Sequence, residues 1–536
     1  MSNIIPVIDV FSGPGGLGEG FASCRSTDGE PCFKIGLSVE KNTYAHSTLE
    51  LRSFIRQFPH REAPEDYYRF LRGEISRNDL FDMYPEQASM AKQEAWLAEL
   101  GSGPDFDNEL DERIERIVGK NGKWVLTGGP PCQAYSVMGR ARNSGRSEYT
   151  AENDERSYLY IEYLRILARH RPAVFVLENV KGLLSSRLQG HRIFDHIITD
   201  LQDPASVFSS YSHTRTGRYK IYSPVKEGDV ASSQLKPEDF IVECEKFGIP
   251  QSRHRVILLG VREDLDVNLA GILKPSPAPV SAGEVLDDLP KLRSGLSREK
   301  DSPDMWVRRL REGVDRRWVN GAKNKWGSEL RDQLVAILNN ATAPPNDRGG
   351  EYVRCDVGAR GKLRDWYLDA RLQGVCNHTG RQHMLKDIYR YLFASCVGEL
   401  FEISPKLQNF PADLFPDHDS AASGNFDDRF RVQLRNSPAS TITSHISKDG
   451  HYYIHYDPAQ CRSLTVREAA RIQTFPDNYF FCGPRTQQYI QVGNAVPPYL
   501  AYQIAKAVHA ELSAQTTQDL HGHTVKRETQ FEYVPN

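Results

Sequence analysis

"IIPVIDVFSGPGGLGEGFASC" (residues 4–24) opens with an apolar run, breaks into a glycine-rich turn and resumes with helical spacing from about Leu17. A buried strand that passes through a tight glycine turn into a helix is the opening unit of a doubly wound α/β sheet. The first half of the chain repeats this alternation. Strand-like segments stand at "CFKIGLSVE" (32–40), "KWVLTGG" (123–129), "PAVFVLENV" (172–180) and "HRVILLGV" (254–261), separated by helical patterns such as "ERSYLYIEYLRILARH" (155–170). The fold class expected is α/β, a doubly wound and mostly parallel sheet, with a second, smaller domain.

The boundaries follow from where the rhythm fails. Residues 1–264 form the sheet domain, interrupted at about 50–120 by a polar, acidic, helical segment read as an insertion. Residues 265–484, with the proline-rich joints "KPSPAPVSAG" and "TAPPNDRGG", form the second domain. Residues 485–514 return to the first domain through a helix, and 515–536 are a polar tail.

A chain of 536 residues exceeds one ordinary core, and 39% hydrophobic with 26% charged residues is a globular balance. No apolar run approaches a membrane span, and the start has no basic leader, so the expected location is the cytoplasm. Nine scattered cysteines without a C-x-x-C pair indicate a reducing compartment. The net charge is -3, unevenly spread: residues 61–120 carry 8 Lys/Arg against 15 Asp/Glu, and residues 301–400 carry 17 against 13. Only the second stretch suits phosphates.

Five local features carry chemistry. The turn "GPGGLG" (13–18), followed by Glu40 at the end of the next strand, suits NAD, FAD or S-adenosylmethionine equally, or a tight turn without ligand. "GGPPCQAYS" (128–136) fixes the backbone ahead of Cys132 at a strand end; this thiol is either a buried small hydrophobe or a held-out nucleophile. Glu178 ends a hydrophobic strand, where a carboxylate either meets water or works. In "GIPQSRHR" (248–255), Gln251, Arg253 and Arg255 alternate and are expected on one face, as a salt-bridged edge or as readers of a planar polar ligand. "QVGNAVPPYLA" (491–501) places Asn494 in a polar turn before a helix that starts at a proline.

In this order, and with "RNSPASTIT" (435–443), these blocks resemble the DNA (cytosine-5) methyltransferase family. The resemblance implies a sheet of the S-adenosylmethionine-dependent methyltransferase type and a target-recognition domain in the second half. It implies Cys132 as nucleophile, Glu178 on the cytosine ring, and Arg253 and Arg255 holding the base. It implies S-adenosyl-L-methionine as cofactor, lined by Phe11, Gly13, Gly15, Leu17, Glu40 and Asn494, with Glu74 near the adenine. It also implies duplex DNA as partner, a functional pairing with a restriction endonuclease, and a monomer. Within the second domain, Cys376, His378, His383 and Cys396 fit no common zinc spacing, so no metal is expected. An RNA-directed enzyme of the same chemistry and a catalytically silent DNA-binding relative are the competing readings. A nicotinamide enzyme leaves all but the glycine turn unexplained.

Overall fold

In a computed structural model the described residues are 4–60, 62–119, 122–131, 158–188, 191–208, 217–230, 235–356, 358, 361–416 and 428–521. Cys132 and the loop that follows it lie outside them. The sheet unit contains β1 (Ile5–Val10), β2 (Phe33–Glu40), β3 (Ala95–Leu97), β4 (Val125–Gly128), β5 (Val174–Val180), β6 (Tyr219–Tyr222), β7 (Ile241–Glu243) and β8 (His254–Arg262). Their spatial order is β3-β2-β1-β4-β5-β8-β6, with β7 also paired to β8. The strands β3 to β5 of this order run parallel, and β8 is antiparallel to β5, β6 and β7.

Alternation along each strand divides the core between the two faces. On β1, Ile8 and Val10 join α6 (Pro104–Val118), α7 (Tyr158–His170) and α8 (Ile193–Gln202) on one face. Ile5 and Val7 face the other side, with α1 (Gly16–Ala22) and the C-terminal α14 (Pro498–His521). β5 does the same, with Phe175 and Leu177 on the first face and Val174 and Val176 on the second. Both faces are therefore covered, and strands buried on both sides read as continuous apolar runs.

The acidic segment is not one insertion. After α2 (Thr43–Arg56), capped by the Asn42 side chain, the added piece is α3 (Glu65–Leu71) and α4 (Arg77–Met83). α5 (Pro85–Glu94), β3 and α6 then resume the winding, and β3 extends the sheet beside β2. A three-residue strand carries too little periodicity to be read from sequence.

The second unit begins later than residue 265, because Leu265, Val267, Leu269 and Leu273 still pack under the sheet. It holds two further apolar clusters, one running from Val280 to Ala495 and one from Leu296 to Cys461. Its main elements are α9 (Pro303–Arg311), α10 (Arg317–Asn339, broken at Gly327), the antiparallel ribbon β9 (Gly349–Arg354) and β10 (Gly374–Thr379), α11 (Leu385–Phe401), α12 (Val466–Ile472) and α13 (Arg485–Asn494). α13 packs here through Tyr489 and Val492, although Gln491 accepts from Thr48 of α2, and from Val496, which lies against Leu17 and Ala501, the chain joins the sheet unit. Leu51, Phe54, Tyr67, Tyr68 and Leu71 form a further cluster with Leu372 and Cys376, so the added helices lean on the second unit.

Candidate active site

Glu178 and Arg255 meet at the carboxyl edge of the sheet. In the antiparallel β5–β8 register Arg255 lies opposite Val180 and Ile257 opposite Glu178, which makes Glu178 and Arg255 diagonal neighbours on one face. Arg255 Nε lies 3.0 Å from Glu178 Oε1, and both side chains are 14% exposed. The contact is one of charge, since Arg255 Nε has no aligned hydrogen-bond acceptor among the described residues. Arg255 Nη1 donates to the His254 carbonyl at 2.8 Å, which orients the guanidinium.

The proline turn is fastened to the same edge. Asn179 Nδ2 donates to the Pro130 carbonyl at 2.8 Å. A Cβ on Gly129 would stand 3.1 Å from Glu178 Oε2, so glycine allows the turn to cross directly over the carboxylate. The described chain thus reaches Pro131, the residue before Cys132, beside Glu178; Cys132 itself lies outside the described residues.

Arg253 does not share this corner. Gln251 and Ser252 pair with Ala439 and Ser440, and β8 starts only at His254, so the expected single face is broken at Arg253. Arg253 is buried and donates to the carbonyls of Ile442 at 2.8 Å, Ala495 at 2.9 Å and Gly493 at 3.4 Å. Burial, with Arg255 nearby, pushes its pKa down to about 10. Gln251 faces the same seam, accepting from Ile442 N and donating to the Ile472 carbonyl. Gln251 and Arg253 lock the two units together, and Arg255 alone of the three turns to Glu178.

The glycine turn is a strained backbone shelf at the end of β1. Phe11 has φ 57°, an uncommon conformation for a side-chain-bearing residue. Gly13 and Gly15 have φ 56° and 96°, and a Cβ on Gly13 would meet nothing within 4 Å. Glu40 accepts from Gly13 N at 2.8 Å and Asn42 N at 2.7 Å, which aims its carboxylate at the turn. Gly16 lies where a Cβ would strike the Val496 carbonyl, and Leu17 is buried against Val496 and Ala501. Beneath the turn, Asp9 is fully buried and accepts from Thr127 Oγ1 at 2.7 Å; burial pushes its carboxyl up to about 7. Asn494 is exposed at the last turn of α13, while Ala495 to Pro497 form the link to α14. Glu74 is occupied elsewhere, paired with Arg72 at 2.6 Å on the exposed surface of the added helices.

The block "RSLTVREAARIQTFPDNY" (462–479) was not singled out from sequence, yet it supplies a network of buried charges inside the second unit and several links to the sheet unit. Thr465 and Glu468 form a capping box on α12. Arg462 pairs with Glu468, Arg471 with Asp477 and Asp288, and Arg467 donates to the carbonyls of Cys376, Pro476 and Tyr479. Tyr479 OH donates to the Pro14 carbonyl, tying this block to the glycine turn. The readable signal was Thr-x-x-Glu overlapping two arginines four apart, Arg467 and Arg471, on a short apolar helix.

The four-residue pattern considered for zinc disperses. Cys376 Sγ faces the Leu71 carbonyl, His378 bonds Thr465 and Pro290, His383 bonds Tyr391 and Ser463, and Cys396 is buried in an apolar cluster. Burial lowers the pKa of both histidines, to about 4 for His378. Among the described residues one other trio has ligand atoms within 4.8 Å of one another, Glu243, Glu245 and His254. Glu243 is already paired with Lys246 at 2.5 Å and His254 with Glu245 at 2.8 Å.

A doubly wound sheet with a glycine shelf at the end of one strand is the architecture of a nucleotide-binding enzyme. Residues 111–209 and 236–510 match the family described as C-5 cytosine-specific DNA methylase, and the chain belongs to that family. The matched stretches contain Cys132, Glu178, Arg253, Arg255 and Asn494. The chain is 31% identical over 528 residues to the Type II methyltransferase M.Bpa9945I of Bacillus paralicheniformis, covering 94% of this chain and 98% of that protein. It is 25% identical over 537 residues to the Type II methyltransferase M.AgeI of Thalassovita gelatinovora, covering 94% and 99%. The protein is accordingly an S-adenosylmethionine-dependent DNA cytosine-5 methyltransferase. No helix among the described residues is long and apolar enough to cross a membrane.

Proposed function

We propose that this enzyme methylates cytosine within one duplex sequence by flipping the nucleotide out and forming a covalent adduct with Cys132. The observation that carries the reading is the Glu178–Arg255 pair, 3.0 Å apart at the sheet edge, with the Pro130–Pro131 turn fastened over it immediately before Cys132. Cytosine carbon 5 is a poor nucleophile. Addition of the Cys132 thiolate to carbon 6 breaks the aromaticity and makes carbon 5 enamine-like, while Glu178 holds ring nitrogen 3 as charge develops there. Arg255 keeps Glu178 oriented and balances its charge, and Arg253 acts at a distance by fixing the segment on which both depend. Once carbon 5 carries the methyl group, loss of its proton and elimination free Cys132. The carbon is inaccessible in a stacked duplex, so the base leaves the stack at a cost of a few kcal/mol.

The shelf fits S-adenosylmethionine, which supplies an electrophilic methyl group when bound. Phe11, Gly13 and Gly15 leave backbone and open space for close approach, Leu17 forms the wall, Glu40 offers a carboxylate to a ribose diol, and Asn494 closes the rim. The second unit, with its positive balance in 301–400, would contact phosphates. The Type II names of the relatives support a role in restriction–modification, the methylated sequence being one that a partner endonuclease cuts.

Expression in a host without cytosine methylation, followed by bisulfite sequencing, tests this reading: one methylated motif is expected, and soluble protein that marks nothing would favour a silent DNA-binding relative. Cys132→Ala should lose methyl transfer by at least about four orders of magnitude while retaining DNA binding. Retained activity would remove the covalent step.

A further inference from the structure

Cys24, at the end of α1, and Cys32, at the start of β2, close a tight hairpin. Arg25 is bridged antiparallel to Pro31, Cys32 N donates to the Cys24 carbonyl at 3.1 Å, Ser26 N donates to the Glu30 carbonyl at 2.9 Å, and Gly29 takes the turn at φ 82°. Cys24 and Cys32 are thus directly opposed. Opposed, hydrogen-bonded residues have Cα atoms about 5.5 Å apart, inside the roughly 4.4–6.8 Å range that a disulfide spans. The two side chains are close enough to influence each other's ionisation. Both are buried, beneath a loop whose residues Thr27 to Glu30 are exposed.

We infer that Cys24 and Cys32 form a reversible disulfide, a covalent modification site separate from the methyl-transfer corner. Burial raises the pKa of both thiols and the charge of Arg25 opposes that rise at each, so either sulfur can act first, here taken as Cys32. With hydrogen peroxide as oxidant, the Cys32 thiolate attacks one peroxide oxygen and the O–O bond breaks. The departing hydroxide takes a proton to become water, and Cys32 is left as a sulfenic acid. The Cys24 sulfur then attacks the Cys32 sulfur, the S–O bond breaks, and hydroxide leaves as water with the Cys24 proton. Two thiols and one peroxide give one disulfide and two waters, with two electrons passing from sulfur to oxygen.

The bond closes a loop of nine residues and staples the base of α1 to β2, whose far ends carry the glycine shelf and Glu40. Its expected effect is a rise in Tm of about 2–5 °C, reversed by reduction. Trypsin cuts after Arg25 and Lys34, which separates the two cysteines into peptides 1–25 and 26–34. The full-length protein is treated with hydrogen peroxide, alkylated to block remaining thiols, and digested without reductant. A species joining these two peptides, about 2 Da lighter than their sum and abolished by reductant or by Cys32→Ser, is the result expected. Free alkylated thiols at both positions, sulfinic or sulfonic acid at either, or linkage of either to another cysteine would overturn the proposal. The wild-type peptide map decides the matter even if the variant folds poorly.

Discussion

Inside the sheet unit the fully buried side chains of β5 are Val174, Phe175, Val176 and Leu177, whereas the second unit buries Arg462, Arg467 and Arg471, and Arg253 is buried where the two units meet. The first set is held by non-directional apolar contact, which is proportional to area and tolerant of shape-conserving exchange. The second set is held by charge and by hydrogen bonds that end on particular carbonyls and carboxylates, and these fix orientation. The sheet therefore sets how stable the unit is. The three arginines order the second unit internally, and Arg253 and Tyr479 join it to the sheet unit.

This contrast can be broken by substitution. Arg471→Ala should cost about 3–5 kcal/mol, because Asp477 and Asp288 would keep buried negative charge without their cation. Leu177→Ala, which only opens a cavity in the sheet, should cost about 3 kcal/mol. Both are measured by urea unfolding; a smaller loss at Arg471 than at Leu177 would show that this part of the second unit is held by packing and not by its charges.

Asp9 is the exception within the sheet, a carboxyl enclosed by apolar strands, and it sharpens the comparison through pH. Its folded pKa of about 7 lies above the ordinary 3.8, so between those values the folded state holds a proton that the unfolded chain has lost. Its contribution to stability is therefore fully present below pH 4 and falls as pH rises towards 7, by at most about 1.4 kcal/mol per pH unit. The difference in unfolding free energy between wild type and Asp9→Asn, measured at pH 5, 6 and 7, should follow that slope. A flat difference would mean that Asp9 is ionised throughout. The smallest effect belongs to the solvent: Lys41 and Glu99 pair at 2.8 Å with more than half of each side chain exposed, and Lys41→Ala should change stability by less than about 1 kcal/mol.

The long strands were legible because burial on both faces writes an apolar run that no other element of that length requires. The strands at Ala95–Leu97, Tyr219–Tyr222 and Ile241–Glu243 were not, since three or four residues cannot establish a period. The site divides in the same way. Glu40, Glu178 and Arg255 were singled out because each sits near a strand end, where chain direction alone fixes its place. Arg253 looked equivalent to Arg255 because alternation assumes an unbroken strand, and the break at Arg253 depends on residues 439 and 440, nearly two hundred positions away.

By itself the sequence determined the doubly wound sheet, the glycine shelf, and the order of the blocks that mark a cytosine-5 methylase, because these depend on local periodicity, turn chemistry and neighbours in the chain. Only the tertiary structure decided that Arg253 joins the two units while Arg255 serves Glu178, and that "RSLTVREAARIQTFPDNY" supplies the buried charges of the second unit. It also decided that the acidic segment is partly sheet. A buried charge is defined by the partner that meets it, and Arg253, ending on Ile442 and Ala495, and Arg471, on Asp288, meet theirs from segments far away in the chain.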